Sequence, residues 1–295
     1  MGSVELEDLY SGYQPLLFSI AYRMLGSVSD AEDIVHDVYL QISEKTIEQV
    51  ENKKAYLCKM VTNRCIDFFK SARYKREVYI GPWLPEPLIL KDHDPISEVM
   101  NQEAISFAFL LLLEKLNPIE RAVFVLRQVL RYDYKKISQI VDRSEPNCRK
   151  IFSRVNNQFP LKEETEGKPE PKNKEMIQAF VSALYQGNIQ KLEELLGKEV
   201  TLYSDGGGNV YAALKPIISK DLVTRFILNI MKQNHHADEP AVVKMVNVNG
   251  ECGLLVKGMD NILTVISFHV KNDQIADIYI VRNPEKLKHV SLESY

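Results

Sequence analysis

Leu116–Val155, LNPIERAVFVLRQVLRYDYKKISQIVDRSEPNCRKIFSRV, holds three helical patterns joined by short connections. Pro118 suits a first helical position, where its missing N–H has no intrahelical partner to lose, and Ala122, Val123, Leu126 and Leu130 follow at helical spacing. A second pattern carries Tyr134, Ile137 and Val141. Asp142-Arg143 then reads as a turn, with Ser144 as the cap of a third helix that tolerates Pro146 in its first turn. On that helix Cys148, Ile151, Phe152 and Val155 form one apolar stripe. Asn147, Arg149, Lys150, Ser153 and Arg154 fall opposite, as donors and cations suited to phosphates and base edges of a major groove. From Arg121 to Arg154 nine Lys or Arg oppose only Asp133, Asp142 and Glu145. A cationic face is most often simply solvated; three helices in this register favour a helix-turn-helix that reads double-stranded DNA.

A chain of 295 residues has room for two or three cores. Its net charge of −3 excludes a uniformly basic nucleic-acid coat, so any DNA contact must come from local patches. The longest apolar run, Ile105–Leu113, is interrupted by Ser106 and too short to span a bilayer, and no secretory signal pattern is read. Cys58, Cys65, Cys148 and Cys252 lack C-x-x-C or Cys/His spacing. No metal, cofactor or disulfide is expected, and a reducing cytoplasm fits.

The first eighty residues separate acid from base. Between Ser27 and Asn52 stand Asp30, Glu32, Asp33, Asp37, Glu44, Glu48 and Glu51 against Lys45. Between Lys53 and Arg76 the sign inverts: Lys53, Lys54, Lys59, Arg64, Lys70, Arg73, Lys75 and Arg76 face Asp67. Ser29 and Glu32 match a capping box for the acidic helix, with Ala31, Ile34, Val35, Val38 and Ile42 as its core stripe. Asp30, Asp33, Asp37, Gln41 and Glu44 point outward beside Leu40, a face suited to a basic protein surface, although acids also serve solubility. On the basic helix Tyr56, Lys59, Asn63 and Lys70 share an arc suited to single-stranded DNA, with Leu57, Met60, Val61 and Phe68 as core. Tyr56 as ordinary half-buried packing is the competing reading.

Gly81-Pro82-Trp83-Leu84-Pro85-Glu86-Pro87 holds the only tryptophan and three prolines, a stiff extended connector with an aromatic anchor. Asn156–Asn173 is a charged linker. Beyond it come helical patterns over Lys174–Gln186, Ile189–Leu196 and Ser219–Lys232. Strand patterns cover Val200–Ser204, Ala241–Val248, Cys252–Val256, Ile262–Val270 and Gln274–Val281, with Asn249-Gly250 and Asn272-Asp273 as hairpin turns.

Tyr13–Leu40 (YQPLLFSIAYRMLGSVSDAEDIVHDVYL), Lys53–Tyr79 (KKAYLCKMVTNRCIDFFKSARYKREVY) and the helix-turn-helix together resemble bacterial sigma factors of the extracytoplasmic-function (ECF) type. The WLPEP string (Trp83, Leu84, Pro85, Glu86, Pro87), the DGGG string (Asp205, Gly206, Gly207, Gly208) and NPEKL (Asn283, Pro284, Glu285, Lys286, Leu287) resemble the subgroup with a C-terminal SnoaL-like extension. That resemblance implies two all-α sigma domains, then an α+β cone-shaped domain. Residues 1–78 would be region 2 and 79–103 a linker; 104–158 would be region 4, 159–173 a second linker and 174–295 the extension. It implies promoter-specific transcription initiation without an activity of its own. Asp30, Asp33, Asp37 and Leu40 would dock on the clamp of the largest subunit of core RNA polymerase. Tyr56, Lys59, Asn63, Arg64, Asp67, Lys70 and Arg73 would meet the melted −10 element. Asn147, Arg149, Lys150, Ser153 and Arg154 would meet duplex −35 DNA. The three strings would carry regulation in cis by the extension. Asymmetric promoter elements suit a monomer. His36, Ser138 and Cys148 depart from the usual glutamine, alanine and larger apolar residue.

Two alternatives stay open. The cone-shaped fold permits a pocket with an unidentified small ligand, or a pocket enzyme using Asp205, His235, His236 and Asp238 as acid–base groups. A one-component, ligand-sensing repressor is the other, though it has no need of an acidic docking face.

Overall fold

The structure is a computed structural model that describes residues 3–43, 50–77, 79–91, 94–102, 106–158, 171–234, 241–258 and 260–294. His235, His236, Asp238, the acidic-helix end at Glu44 and Glu48, and most of the second linker lie outside the described residues, as does the side chain of Arg73. The chain forms two compact units. One holds Met1–Glu77, His93–Glu103 and Phe109–Glu166; the other holds Val78–Asp92, Ala104–Ala108 and Gly167–Tyr295.

The first unit is helical. Helices α1 (Ser3–Leu25), α2 (Val28–Ser43) and α3 (Lys53–Glu77) pack together, and α4 (Pro95–Gln102), inside the stretch expected to be linker, lies against α1. The α2 stripe is buried as its periodicity requires, with Val28 and Tyr39 added. The helix starts earlier than the Ser29–Glu32 pattern implied. Ser27 Oγ accepts from the Asp30 N–H at 3.1 Å, because burying Val28 pulls the first turn back by two residues. Asn52 caps α3 by accepting from the Ala55 N–H at 2.9 Å.

After α5 (Phe107–Glu114) come α6 (Pro118–Phe124), α7 (Tyr134–Val141) and α8 (Glu145–Gln158). Asn117 and Glu120 make a reciprocal capping box ahead of Pro118. A π-helical turn, Val125–Val129, extends α6, with the Leu130 N–H donating to the Val125 carbonyl at 3.3 Å. Asp133 caps α7, and Asp142 takes a left-handed conformation (φ 52°) that turns the chain into α8. Cys148, Ile151 and Val155 are buried and Phe152 is half-buried, stacked on Phe124 at 5.6 Å.

The second unit is a seven-stranded sheet backed by helices. Strands β2 (Leu196–Asp205), β3 (Ile217–Ile218), β4 (Val242–Val248), β5 (Glu251–Lys257), β6 (Leu263–Lys271) and β7 (Gln274–Val281) are joined by β1 (Ile89–Leu90) in the order β1-β4-β5-β6-β7-β2-β3. All pairs are antiparallel except β2 with β7. Asn249-Gly250 and Asn272-Asp273 make the hairpins with positive φ at both central residues. Alternation gives two transverse rows across β5, β6 and β7. Leu254, Ile266 and Ile280 pack with Phe180 and Leu192 of α9 (Pro171–Tyr185) and α10 (Ile189–Leu195), and with Val223 of α11 (Lys220–Asn234). Leu255, Val265 and Val281 make the opposite row and are also buried. On that face Tyr279 stacks on Tyr203 and meets Phe107 at 5.3 Å. Both faces are covered at the middle of β5 and at the end of β7, where Gly253–Leu255 and Ile278–Val281 are buried in succession and the sequence reads as a continuous apolar run.

Candidate functional site

On α2, Asp33, His36, Asp37 and Leu40 are exposed and Asp30 is half-buried. Leu40 is 52 % exposed, set among carboxylates with its neighbours Val38 and Tyr39 turned inward. Lys59, Asn63, Arg64, Asp67 and Lys70 line the outside of α3 while Tyr56 is half-buried; Met60 and Phe68, expected in the core, are half-buried too. Two of these groups are occupied locally. Lys70 pairs with Asp67 at 2.6 Å, and Gln41, its amide oxygen turned to the guanidinium, accepts from Arg64 Nε at 3.1 Å.

Asn147, Arg149, Lys150, Ser153 and Arg154 all stand exposed on one face of α8. Arg149 pairs with Glu145 at 3.1 Å and lies 4.7 Å from the centre of the Tyr134 ring. Arg154 pairs with Glu120 of the capping box. Exposed pairs of this kind hold side chains weakly and exchange readily for phosphate. The helix therefore presents a pre-oriented cationic face, separated from the apolar stripe that fixes it to α6 and α7.

The second unit contains a buried polar site built around the linker. Asp205, at the end of β2, is 1 % exposed. Its carboxylate accepts from Tyr79 Oη at 2.5 Å, the Leu84 N–H at 2.8 Å, the Gly207 N–H at 3.0 Å and Lys286 Nζ at 2.7 Å. Lys286 Nζ also donates to the Leu84 carbonyl and sits 4.2 Å from the Trp83 ring centre and 4.8 Å from that of Tyr79. A buried ammonium is tolerable only with such a full set of acceptors and ring faces.

Asn283 donates to Tyr79 Oη at 2.9 Å and, through its oxygen, caps the 3₁₀ turn Pro284–Leu287 that delivers Lys286 and buries Leu287. Two glycines are sterically required. At Gly206 a Cβ would meet the Val210 carbonyl oxygen at 2.2 Å; at Gly207, with φ +62°, it would meet Asn283 Nδ2 at 2.3 Å. Leu84, Pro85, Glu86 and Pro87 are buried, Trp83 is half-buried, and His289 Nε2 lies 2.9 Å from the Pro87 carbonyl oxygen. Leu88 donates to Asn249 Oδ1 and accepts from the Asn249 N–H, which starts the pairing of β1 with β4.

Thus the three strings of the sequence, far apart in the chain, meet at one carboxylate. The partners that sequence reasoning missed are Tyr79, Asn249 and His289. Only Tyr79 left a signal, as an aromatic next to the proline-rich stretch. Burial pushes its hydroxyl pKa up, and the Asp205 carboxylate adds to the rise. Asp205, weighed as an acid–base group, is committed to four donors.

The Sigma-70 region 2 family model matches residues 9–74, and that of Sigma-70, region 4 matches residues 106–155. The chain is 29 % identical over 283 residues to the ECF RNA polymerase sigma factor SigJ of Mycobacterium tuberculosis, covering 92 % of this chain and 89 % of that protein. It is 23 % identical over 287 residues to the probable ECF RNA polymerase sigma factor SigI of the same species, covering 96 % and 95 %. The crystal structure of M. tuberculosis SigJ superposes with a TM-score of 0.79 at 25 % identity, covering 95 % of this chain and 97 % of that one. Among the described residues no helix is long and apolar enough to cross a membrane. The chain thus carries sigma-70 regions 2 and 4 in order and is similar along nearly its whole length, third domain included, to an extracytoplasmic-function sigma factor.

Proposed function

We propose that this sigma factor docks on the clamp of core polymerase through the exposed α2 face (Asp30, Asp33, Asp37, Leu40). It meets the melted −10 element through Tyr56, Lys59, Asn63, Arg64, Asp67, Lys70 and Arg73, and −35 duplex through the outer face of α8. It acts as a cytoplasmic monomer and regulates itself through the extension. The observation that carries the last point is the clasp: Asp205 and Lys286 of the sheet domain hold the linker backbone at Leu84, while Trp83 and Tyr79 close over the ammonium. A linker so held has fewer conformations open to it than a free one. Changes in the clasp then shift the population of polymerase-competent conformers.

The test is in vitro transcription with core polymerase, comparing the full chain, its Trp83→Ala variant and a chain ending at Lys172. Coupling of ordinary strength predicts that promoter output changes about fivefold or more in both altered chains, while the Trp83→Ala variant stays folded. Unchanged output across Trp83, Asp205 and Asn283 variants would remove the extension from the regulation and leave the sigma activity standing.

A further inference from the structure

The cations on the outer face of α8 are not held alike. Arg154 pairs with Glu120, and Lys150 carries a point charge on a four-carbon stem. Arg149 is set on a ring. Its guanidinium lies over Tyr134, 4.7 Å from the ring centre, and pairs with Glu145 one turn back.

The ring is itself fixed from several sides. Tyr134 opens α7 directly after the Asp133 cap and is half-buried. An edge-on contact with Phe152 (6.3 Å, 69°) ties it to α8, and Phe152 stacks on the buried Phe124 of α6. A second guanidinium, that of Arg127 in the π-helical turn, also lies 4.7 Å from the Tyr134 ring centre. Arg127 is anchored in turn, donating to the Tyr132 carbonyl at 2.8 Å. One tyrosine thus links all three helices of the module to a single exposed arginine.

A guanidinium that meets a ring by its face keeps its in-plane N–H groups for other acceptors, and two parallel N–H donors fit the O6 and N7 of a guanine. An arginine free in solvent gives up rotamer freedom to make that contact. One already lying on a ring has given up part of it beforehand. Two cations over one ring also repel each other, which favours a partner that offers acceptors.

We propose that Tyr134 is a specificity-determining residue, its ring setting the Arg149 guanidinium for bidentate reading of one guanine in the −35 element. The proposal rests on the reading of α8 as the −35 helix and adds which base edge is read and what aims the reader. Tyr134 acts through Arg149 and is a positioning residue.

The experiment gives the full chain, with core polymerase, a duplex promoter library randomised over the −35 and −10 elements. Heparin-resistant open complexes are recovered and their DNA is sequenced. The unaltered chain should enrich one G·C pair in the −35 element that Arg149→Ala no longer enriches. Tyr134→Leu, apolar but without a ring face, should lower the preference at that pair about fivefold or more, leaving other −35 positions and the −10 preferences as they were. Tyr134→Phe keeps the ring and should keep the preference. Arg149→Lys, an exposed change that retains the charge and loses the planar fork, should lose it. An unaltered preference in Tyr134→Leu or in Arg149→Lys overturns the proposal, and so does an Arg149-dependent pair other than G·C. A loss in Tyr134→Leu spread over every −35 position, or a loss in Tyr134→Phe, makes Tyr134 a packing residue and overturns it as well. Open complexes with no −35 preference at all overturn the reading of α8 itself. A chain that recovers no promoter with core polymerase overturns the sigma reading.

Discussion

Asp33 and Asp37 on α2 stand in solvent beside an exposed leucine, whereas Asp205 in the sheet domain is closed off from water and accepts four hydrogen bonds. The cations divide the same way. Lys150 on α8 is exposed, and Lys286 is buried between a carboxylate, a carbonyl and two rings. One residue chemistry thus serves two ends. Solvated charges keep their interaction energy for a partner and contribute almost nothing to folding. Buried charges are spent inside the molecule and fix one geometry, here the attachment of the linker to β2 and to the Pro284–Leu287 turn. The contrast predicts that equal truncations in the two places differ greatly in what they damage.

The largest effect is expected from Asp205→Ala. It removes the Asp205 carboxylate from the buried Lys286 ammonium and takes away the acceptor of Tyr79, Leu84 and Gly207 together. Loss of one member of a buried pair costs about 3–5 kcal/mol, so denaturant unfolding of the sheet domain should shift by that order. Protease cleavage should appear between Ile80 and Leu88, where the strap is no longer held. A midpoint within error of the unaltered protein would mean that the carboxylate is replaceable by water and the clasp is not structural.

Lys286→Met sharpens the comparison, because the two halves of the pair are not equivalent. Asp205 keeps its bonds from Tyr79, Leu84 and Gly207 when the lysine is lost, and methionine retains most of the stem that packs under Trp83. The expected cost is about 1–3 kcal/mol, below that of Asp205→Ala. An equal or larger loss would show that the ammonium over the two rings, rather than the carboxylate, organises the site.

The elements were largely legible in sequence and the clasp only in part. The apolar stripes of α2 and α8, the hairpin turns at Asn249 and Asn272, and the charge inversion between α2 and α3 follow from local periodicity, which one sequence displays. Resemblance singled out Trp83, Asp205, Asn283 and Lys286 as important, yet nothing local says that residues about two hundred positions apart converge on one carboxylate. The pairing of Ile89 and Leu90 with β4 was invisible for a related reason. Two residues give no period, and the prolines before them argue for an unpaired strap. The Ser27 cap was missed because a capping-box pattern two residues later fits local rules equally well, and only the burial of Val28 decides between them.

Gly207→Ala probes the same site through the backbone. The added methyl must enter a space held by the Asn283 amide, at a φ of +62° that alanine rarely adopts, and Asn283 is the residue that joins Tyr79 to the last turn. A cost of about 1–3 kcal/mol is expected, with partial loss of protection in the strap. Full retention of strap protection would place Asn283 outside the clasp's working parts.

The smallest effect on folding, and the clearest counterpart to Asp205, is expected from Lys150→Ala. An exposed side chain in the middle of α8, away from the Cys148–Val155 stripe, contributes within about 0.5 kcal/mol to stability, so the unfolding curve should overlay that of the unaltered protein. The change should appear only when DNA is present. If Lys150 meets a phosphate of the −35 duplex, holoenzyme affinity for promoter DNA falls similarly across sequences. The slope of log affinity against log salt then decreases by about one counterion. If it meets a base edge, the salt slope stays nearly constant and discrimination is lost at one base pair of the −35 element. A variant that destabilises the fold without touching either quantity would put Lys150 among the structural charges, on the Asp205 side of the division.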